Sequence, residues 1–169
     1  MTKKLMVGKV AVGGGAPVSI QSMCNTKTDD VAATVAQIHA LEDAGCEIIR
    51  VAVPGEDAAK AVDKIKEQID IPLIADIHFN YKLALMCAER GIDALRINPA
   101  TSAGRNGSVR WRKPAASGTS PLRIGVNGGS LEKDLRAKYG GVTAEALVES
   151  AMGHVKLLNA MISTISAFP

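Results

Sequence analysis

Three arginines sit inside apolar runs where a permanent charge is costly unless something pairs with it: Arg50 in EIIRVAV, Arg96 in DALRIN and Arg123 in PLRIGVN. A planar guanidinium grips phosphate oxygens through two parallel hydrogen bonds, so three of them directed at one place suit a phosphate ester or a diphosphate. The competing reading is that each arginine pairs with a neighbouring acid such as Asp76. Asp76 and His78 stand two apart in ADIHF, as an acid and base pair or as two metal ligands. One histidine and one carboxylate fall short of a three-ligand catalytic zinc site, and no metal site is expected. Gln21, Asn25, Asn98, Asn127 and Ser130 follow similar runs and are further candidates for the same mouth, while SLEKDLRAKYGG at 130–141 reads as a short helix with Ser130 as the expected N-cap, whose backbone N–H groups could also face an anion.

Those side chains need elements to hold them. Residues 18–23, 47–53, 71–77, 93–98 and 121–127 are short runs rich in valine and isoleucine, each read as a buried parallel strand that has lost polar alternation because both faces meet other layers. Between them, 29–44 places Val31, Val35, Ile38 and Leu41 on one helical face and stops at Gly45. Residues 56–68 repeat the pattern with Ala58, Ala61, Val62 and Ile65, and 80–90 repeats it before Gly91. Strand starts recur about every 24 residues, close to one eighth of a ~250-residue βα barrel. The polar residues gather at the C-terminal ends of nearly all the strands. A barrel mouth collects every such end, whereas an open doubly wound sheet uses one switch point, so the pattern predicts an α/β fold of the TIM-type barrel kind, with about five of eight βα units. A small β-hairpin is expected over 1–17. GGG at 13–15 lacks the G-K-[ST] and the following helix of a phosphate loop.

Four cations, Arg105, Arg110, Arg112 and Lys113, within ATSAGRNGSVRWRKPAASGTS at 100–120 account for all of the net charge of +3. The remaining charges nearly balance, so the basic excess is no argument for a nucleic-acid partner. An RNA-binding module with Trp111 as a stacking platform is the reading that would use those cations. Cys24, Cys46 and Cys87 are widely spaced, without a C-x-x-C pair, which predicts buried thiols in a reducing cytoplasm. Cys24, next to the mouth, is the thiol to test for reactivity. His39 and His154 fall on helical stretches as surface or packing residues. No apolar run approaches the length of a membrane span, and a soluble chain is expected.

GGGAPVSIQSM, DAGCEIIRVAVP, IPLIADIHF, LRINP and LRIGVNGGSLEKDL with KYGG, in this order, closely resemble the amino-terminal half of the 4-hydroxy-3-methylbut-2-enyl diphosphate synthases. The resemblance covers about residues 7–99 and 121–158. It implies a βα barrel followed by an iron-sulfur domain, and reductive ring opening and dehydration of 2-C-methyl-D-erythritol 2,4-cyclodiphosphate in isoprenoid biosynthesis. Flavodoxin or ferredoxin would supply electrons to a [4Fe-4S] cluster, in an enzyme that is a homodimer when intact. By the resemblance Arg50, Asp76, Arg96, Arg123 and Asn127 bind the substrate diphosphate, and the three cysteines are not cluster ligands. A barrel enzyme for another phosphorylated small molecule, such as a pterin-binding synthase, is the alternative.

The chain departs from that family at 100–120 and at 159–169, and the iron-sulfur domain is expected to be absent. If the frame moves back one base at Pro99, the observed residues fix two bases of every alternative codon. Codons then exist that spell GNIGRTERVRAVAEACGERDIP, an amphipathic helix running into a strand start. The same shift turns MISTISAFP into DDFDDICLS. Compensating frameshifts near 99 and 121, with a third near 160, are therefore expected, leaving 1–169 an incomplete barrel domain with 121–158 as its fifth unit. Such a chain is expected to fold poorly and to be inactive alone.

Overall fold

The computed structural model describes residues 2–78, 80–97 and 121–165. The aberrant stretch at 100–120, Asn98 and the last four residues of the tail lie outside the described residues.

The chain opens with the expected hairpin, β1 (Leu5–Val7) antiparallel to β2 (Val10–Val12), with Val7 opposite Val10. Gly8 makes its turn at φ 53° and lies so close to the next layer that a Cβ there would meet Pro72 Cγ at 2.8 Å. Val7 and Val10 cap a small apolar layer formed by Ile48, Ile74 and Ala94.

Five parallel strands follow: β3 (Gln21–Met23), β4 (Ile48–Ala52), β5 (Leu73–Ile77), β6 (Ala94–Ile97) and β7 (Leu122–Ile124). Their order in the sheet is their order in the chain, so among the described strands there is no reversal at which an open sheet would bind its ligand. The sheet also curls. Gln21 and Arg123 belong to its two outer strands, about 19 Å apart at ordinary strand spacing on a flat sheet, yet Arg123 Nη1 lies 3.4 Å from Gln21 Oε1. Sequential order and curvature together make this a partial barrel, as the strand-end pattern predicts.

Helices α1 (Val31–Asp43), α2 (Glu56–Lys60), α3 (Val62–Lys66) and α4 (Tyr81–Glu89) cover the outer face. Asp30 caps α1 by accepting from Ala33 N at 3.1 Å, and Asn80 caps α4 by accepting from Lys82 N at 3.0 Å. Gly45 (φ 94°) and Gly91 (φ 75°) terminate the helices where expected. Between helices and sheet lies the main core, with Ile38, Ile49, Val51, Ile65, Leu73, Ile77, Leu95 and Ile97 essentially inaccessible. After β7 a 3-10 turn (Gly128–Ser130) leads to α5 (Lys133–Lys138) and the long α6 (Ala144–Ile165). No helix among the described residues is long and apolar enough to cross a membrane.

Three expectations are corrected. The run 18–23 is a strand only over Gln21–Met23, and Val18 and Ile20 are 95% and 59% exposed. β3 has one neighbour, so an apolar run there is not covered on both sides as it would be at the centre of the sheet. The helix over 56–68 is two short helices joined at Ala61, which keeps right-handed helical angles, so the axis is interrupted without a breaker residue. Ser130 is not the N-cap of the following helix. It closes the 3-10 turn, whose cap is Asn127, while α5 starts behind Glu132 without a side-chain cap bond.

Candidate functional site

In a parallel sheet, residues paired in register point to the same face. On β4 and β5 the inward residues Ile48 and Ile74 belong to the layer under the hairpin, while their neighbours Ile49 and Leu73 belong to the core under the helices. Two residues further along each strand, the inward positions become Arg50 on β4, Asp76 on β5 and Arg96 on β6, the last following Ala94. The register aligns Asp76 with Arg96 and Arg96 with Arg123. The inside of the curled sheet is thus apolar and plugged at the N-terminal ends and charged at the C-terminal ends.

Asp76 is the hub. Its side chain is 3% exposed, with Oδ1 accepting from Arg96 Nη1 at 2.9 Å and Oδ2 lying 3.6 Å from Arg50 Nε. His78 Nε2 approaches Oδ1 at 3.5 Å. The pairing alternative therefore describes Arg50 and Arg96 correctly, yet both share one carboxylate, and Arg123 adjoins them with a neutral partner, Gln21. Among the described residues, three guanidiniums against one carboxylate leave a cationic surplus at the end of the sheet, and guanidiniums so placed can make bidentate contacts to an anion.

The other sequence candidates sit at the rim with structural partners. Asn25 exchanges hydrogen bonds with Gln37 of α1, its Oδ1 accepting from Gln37 Nε2 at 2.8 Å and its backbone N–H donating to Gln37 Oε1 at 3.1 Å. Asn127 Oδ1 accepts from Ser130 N at 3.0 Å and stands 3.1 Å from Ser130 Oγ. Both order loops that follow strands. Beyond them, Glu132 joins α5 to α6, accepting from Ser150 Oγ at 2.8 Å and lying 2.9 Å from His154 Nε2. Burial raises the Glu132 pKa, but the backbone N–H, Ser150 and His154 outweigh it and hold the carboxyl below its ordinary value. His154 is thus a packing residue with a defined polar partner. Sequence reasoning missed Gly125, where an added Cβ would lie 2.5 Å from Arg96 Nη2. Its signal was a lone glycine in a strand run.

The three thiols are buried and unpaired. Desolvation, assisted by the neighbouring Cys46, pushes Cys24 up to about 11, and desolvation pushes Cys87 to about 12 against the pull of Arg90. Burial and the raised pKa together argue against reactivity at Cys24, in line with the buried thiols expected from the sequence. A shift from 9.0 to about 11 leaves roughly a hundredfold less thiolate at neutral pH. Iodoacetamide should therefore label Cys24 in the folded chain at least ~100-fold more slowly than in urea, read by mass spectrometry; equal rates would show an accessible thiol. Among the described residues no three His, Cys, Asp or Glu side chains come together to hold a metal ion.

Residues 2–164 match the family described as the GcpE TIM-barrel domain. A Pseudomonas paraeruginosa protein named 4-hydroxy-3-methylbut-2-en-1-yl diphosphate synthase (flavodoxin) is 58% identical over 159 residues, covering 94% of this chain and 43% of the relative. A Maridesulfovibrio salexigens protein of the same name is 55% identical over 157 residues, covering 93% of this chain and 44% of the relative. The chain thus spans under half the length of these relatives. Among solved structures, the dihydropteroate synthase of Yersinia pestis superposes with a TM-score of 0.62 at 11% identity, over 94% of this chain and 58% of that one. That of Vibrio fischeri gives 0.55 at 14% identity, over 90% and 62%. Both likenesses concern the barrel fold alone.

Proposed function

The chain belongs to the GcpE TIM-barrel family, and from that premise we propose that it forms part of the substrate-binding barrel of a 4-hydroxy-3-methylbut-2-enyl diphosphate synthase. The observation that carries this reading is the inward charged row Asp76, Arg96 and Arg123, with Arg50 beside it, above an apolar floor. A cyclic diphosphate presents two anionic phosphoryl groups, and convergent guanidiniums bind them while Asp76 fixes the direction of two of those guanidiniums. His78 lies against the same carboxylate, with Nε2 3.5 Å from Asp76 Oδ1, so its imidazole stands beside the proposed anion site. Asn127 and Ser130 order the loop after β7 at the rim of this site.

A [4Fe-4S] cluster is implied by the family, where it supplies electrons for the reductive ring opening. The described residues do not fit it: the cysteines are separately buried, and no ligand group assembles. What is proposed for this chain is accordingly binding and orientation of the diphosphate. The name of the Pseudomonas relative specifies flavodoxin, and a flavodoxin or ferredoxin donor, a homodimeric enzyme and a cytoplasmic setting belong to the same proposal. The pterin-synthase alternative is supported only by a shared barrel at 11% identity.

Calorimetric titration of the chain with 2-C-methyl-D-erythritol 2,4-cyclodiphosphate and with inorganic pyrophosphate tests the proposal. Both should bind, more weakly as salt is raised. A folded chain that binds neither at millimolar concentration would overturn it, and salt-sensitive RNA binding in their place would favour the RNA-module reading.

A further inference from the structure

We propose that Gly125 is a positioning residue for the anion site: its missing side chain is the space in which the Arg96 guanidinium lies. This inference rests on the diphosphate reading for its functional meaning, and on geometry for its physical basis.

A glycine is required either by the backbone or by its surroundings. Gly45, Gly91 and Gly140 are of the first kind, with φ of 94°, 75° and 68° and open space where a Cβ would stand. Gly125 is of the second kind. It is not among the positive-φ glycines, yet a Cβ built on it would lie 2.5 Å from Arg96 Nη2, 2.7 Å from Cζ, and closer still to Nε. Its position is fixed from both sides. Its N–H donates to Ile97 O at 2.8 Å, prolonging the ladder between β6 and β7 beyond the last paired residue. Two residues after Arg123, it shares the inward face, so the strand leaves a gap beside Arg96 where a β-branched residue would otherwise pack.

Arg96 uses that gap. With Nε and Nη2 over the Gly125 backbone, Nη1 reaches Asp76 Oδ1 at 2.9 Å. A methyl group at 125 displaces the guanidinium, which is the far end of a flexible side chain and can turn aside without a shift of the backbone. The loss therefore falls on the direction of Arg96, and with it on convergence with Arg50 and Arg123.

The test is a double-mutant cycle read with inorganic pyrophosphate, with urea unfolding and circular dichroism confirming that each variant is folded. Gly125→Ala should weaken pyrophosphate binding at least about tenfold in the parent chain, the scale of one charge-assisted hydrogen bond. In an Arg96→Ala background it should change affinity less than about twofold, because nothing remains to displace. In an Arg96→Lys background, with no guanidinium to seat, it should be equally silent. Equal losses in all three backgrounds would mark a structural glycine and overturn the inference, as would unchanged binding by Gly125→Ala. If the parent chain binds no pyrophosphate, the diphosphate reading fails on its own. Positioning is then decided by the Arg96 Nε–Hε signal in nitrogen-15 NMR: a shift and faster solvent exchange in Gly125→Ala support it, and an unchanged signal refutes it.

Discussion

Asp76→Ala lowers the stability of the folded chain by about 3–5 kcal/mol, the range seen when one partner of a buried charge pair is removed. The carboxylate is 3% exposed and is shared between Arg96 at 2.9 Å and Arg50 at 3.6 Å, whose side chains are themselves only 16% and 24% exposed. Without it two guanidiniums face each other with neither water nor counterion in full supply. For a chain of this size the loss corresponds to a fall in melting temperature of about 10 °C. Asp76→Asn keeps the shape and one acceptor for Arg96, and should cost less, about 1–2 kcal/mol. Urea unfolding of the three proteins, with the slope checked for constancy, measures both values. Pyrophosphate supplies a further sign: it should raise the melting temperature of Asp76→Ala more than that of the parent chain, because the anion replaces the missing negative charge. A loss below 1 kcal/mol, or equal rescue of both proteins, would mean that the carboxylate is not what holds the arginines together.

The sheet was legible because its signals are local. Each valine- and isoleucine-rich run needs only its own residues to read as a strand, Gly45 and Gly91 stop helices by their own conformational freedom, and the spacing of strand starts carries the βα repeat. Arg50, Asp76 and Arg96 could be placed at one end for the same reason: all lie on strands that run in one direction. What was not legible depends on neighbours. Val18 and Ile20 look like buried strand residues until the sheet is seen to end beside them. Ser130 looks like a helix cap until Asn127, three residues earlier, takes its N–H. Gly125 looks like a weak point in a strand until Arg96 is laid across it. The sequence also posed anion binding and acid pairing as rivals for the arginines. A single carboxylate shared by two of three guanidiniums satisfies the pairing and leaves the surplus, a ratio that appears only when the register is known.

That surplus leads to the largest expected effect on binding. Arg96→Ala should reduce pyrophosphate affinity about 100-fold, near the upper end for the loss of hydrogen bonds to a charged group. Arg96 is the least exposed of the three arginines, is anchored on Asp76, and stands between β5 and β7 in the aligned row. Arg123 is exposed and held by Gln21 at 3.4 Å, so solvent screens it more, and Arg123→Ala should cost about tenfold. Arg50→Ala should fall between them. Lysine at 96 should recover only part of the loss, since an ammonium lacks the fork that meets two phosphate oxygens and a carboxylate together. Affinities measured across a salt series separate the contributions: removing Arg123 should flatten the salt dependence, while removing Arg96 should lower affinity at every salt concentration. The reverse ranking, with Arg123 dominant and Arg96 silent, would move the anion out of the curled sheet and onto its rim, and the inward charged row would then serve only the fold.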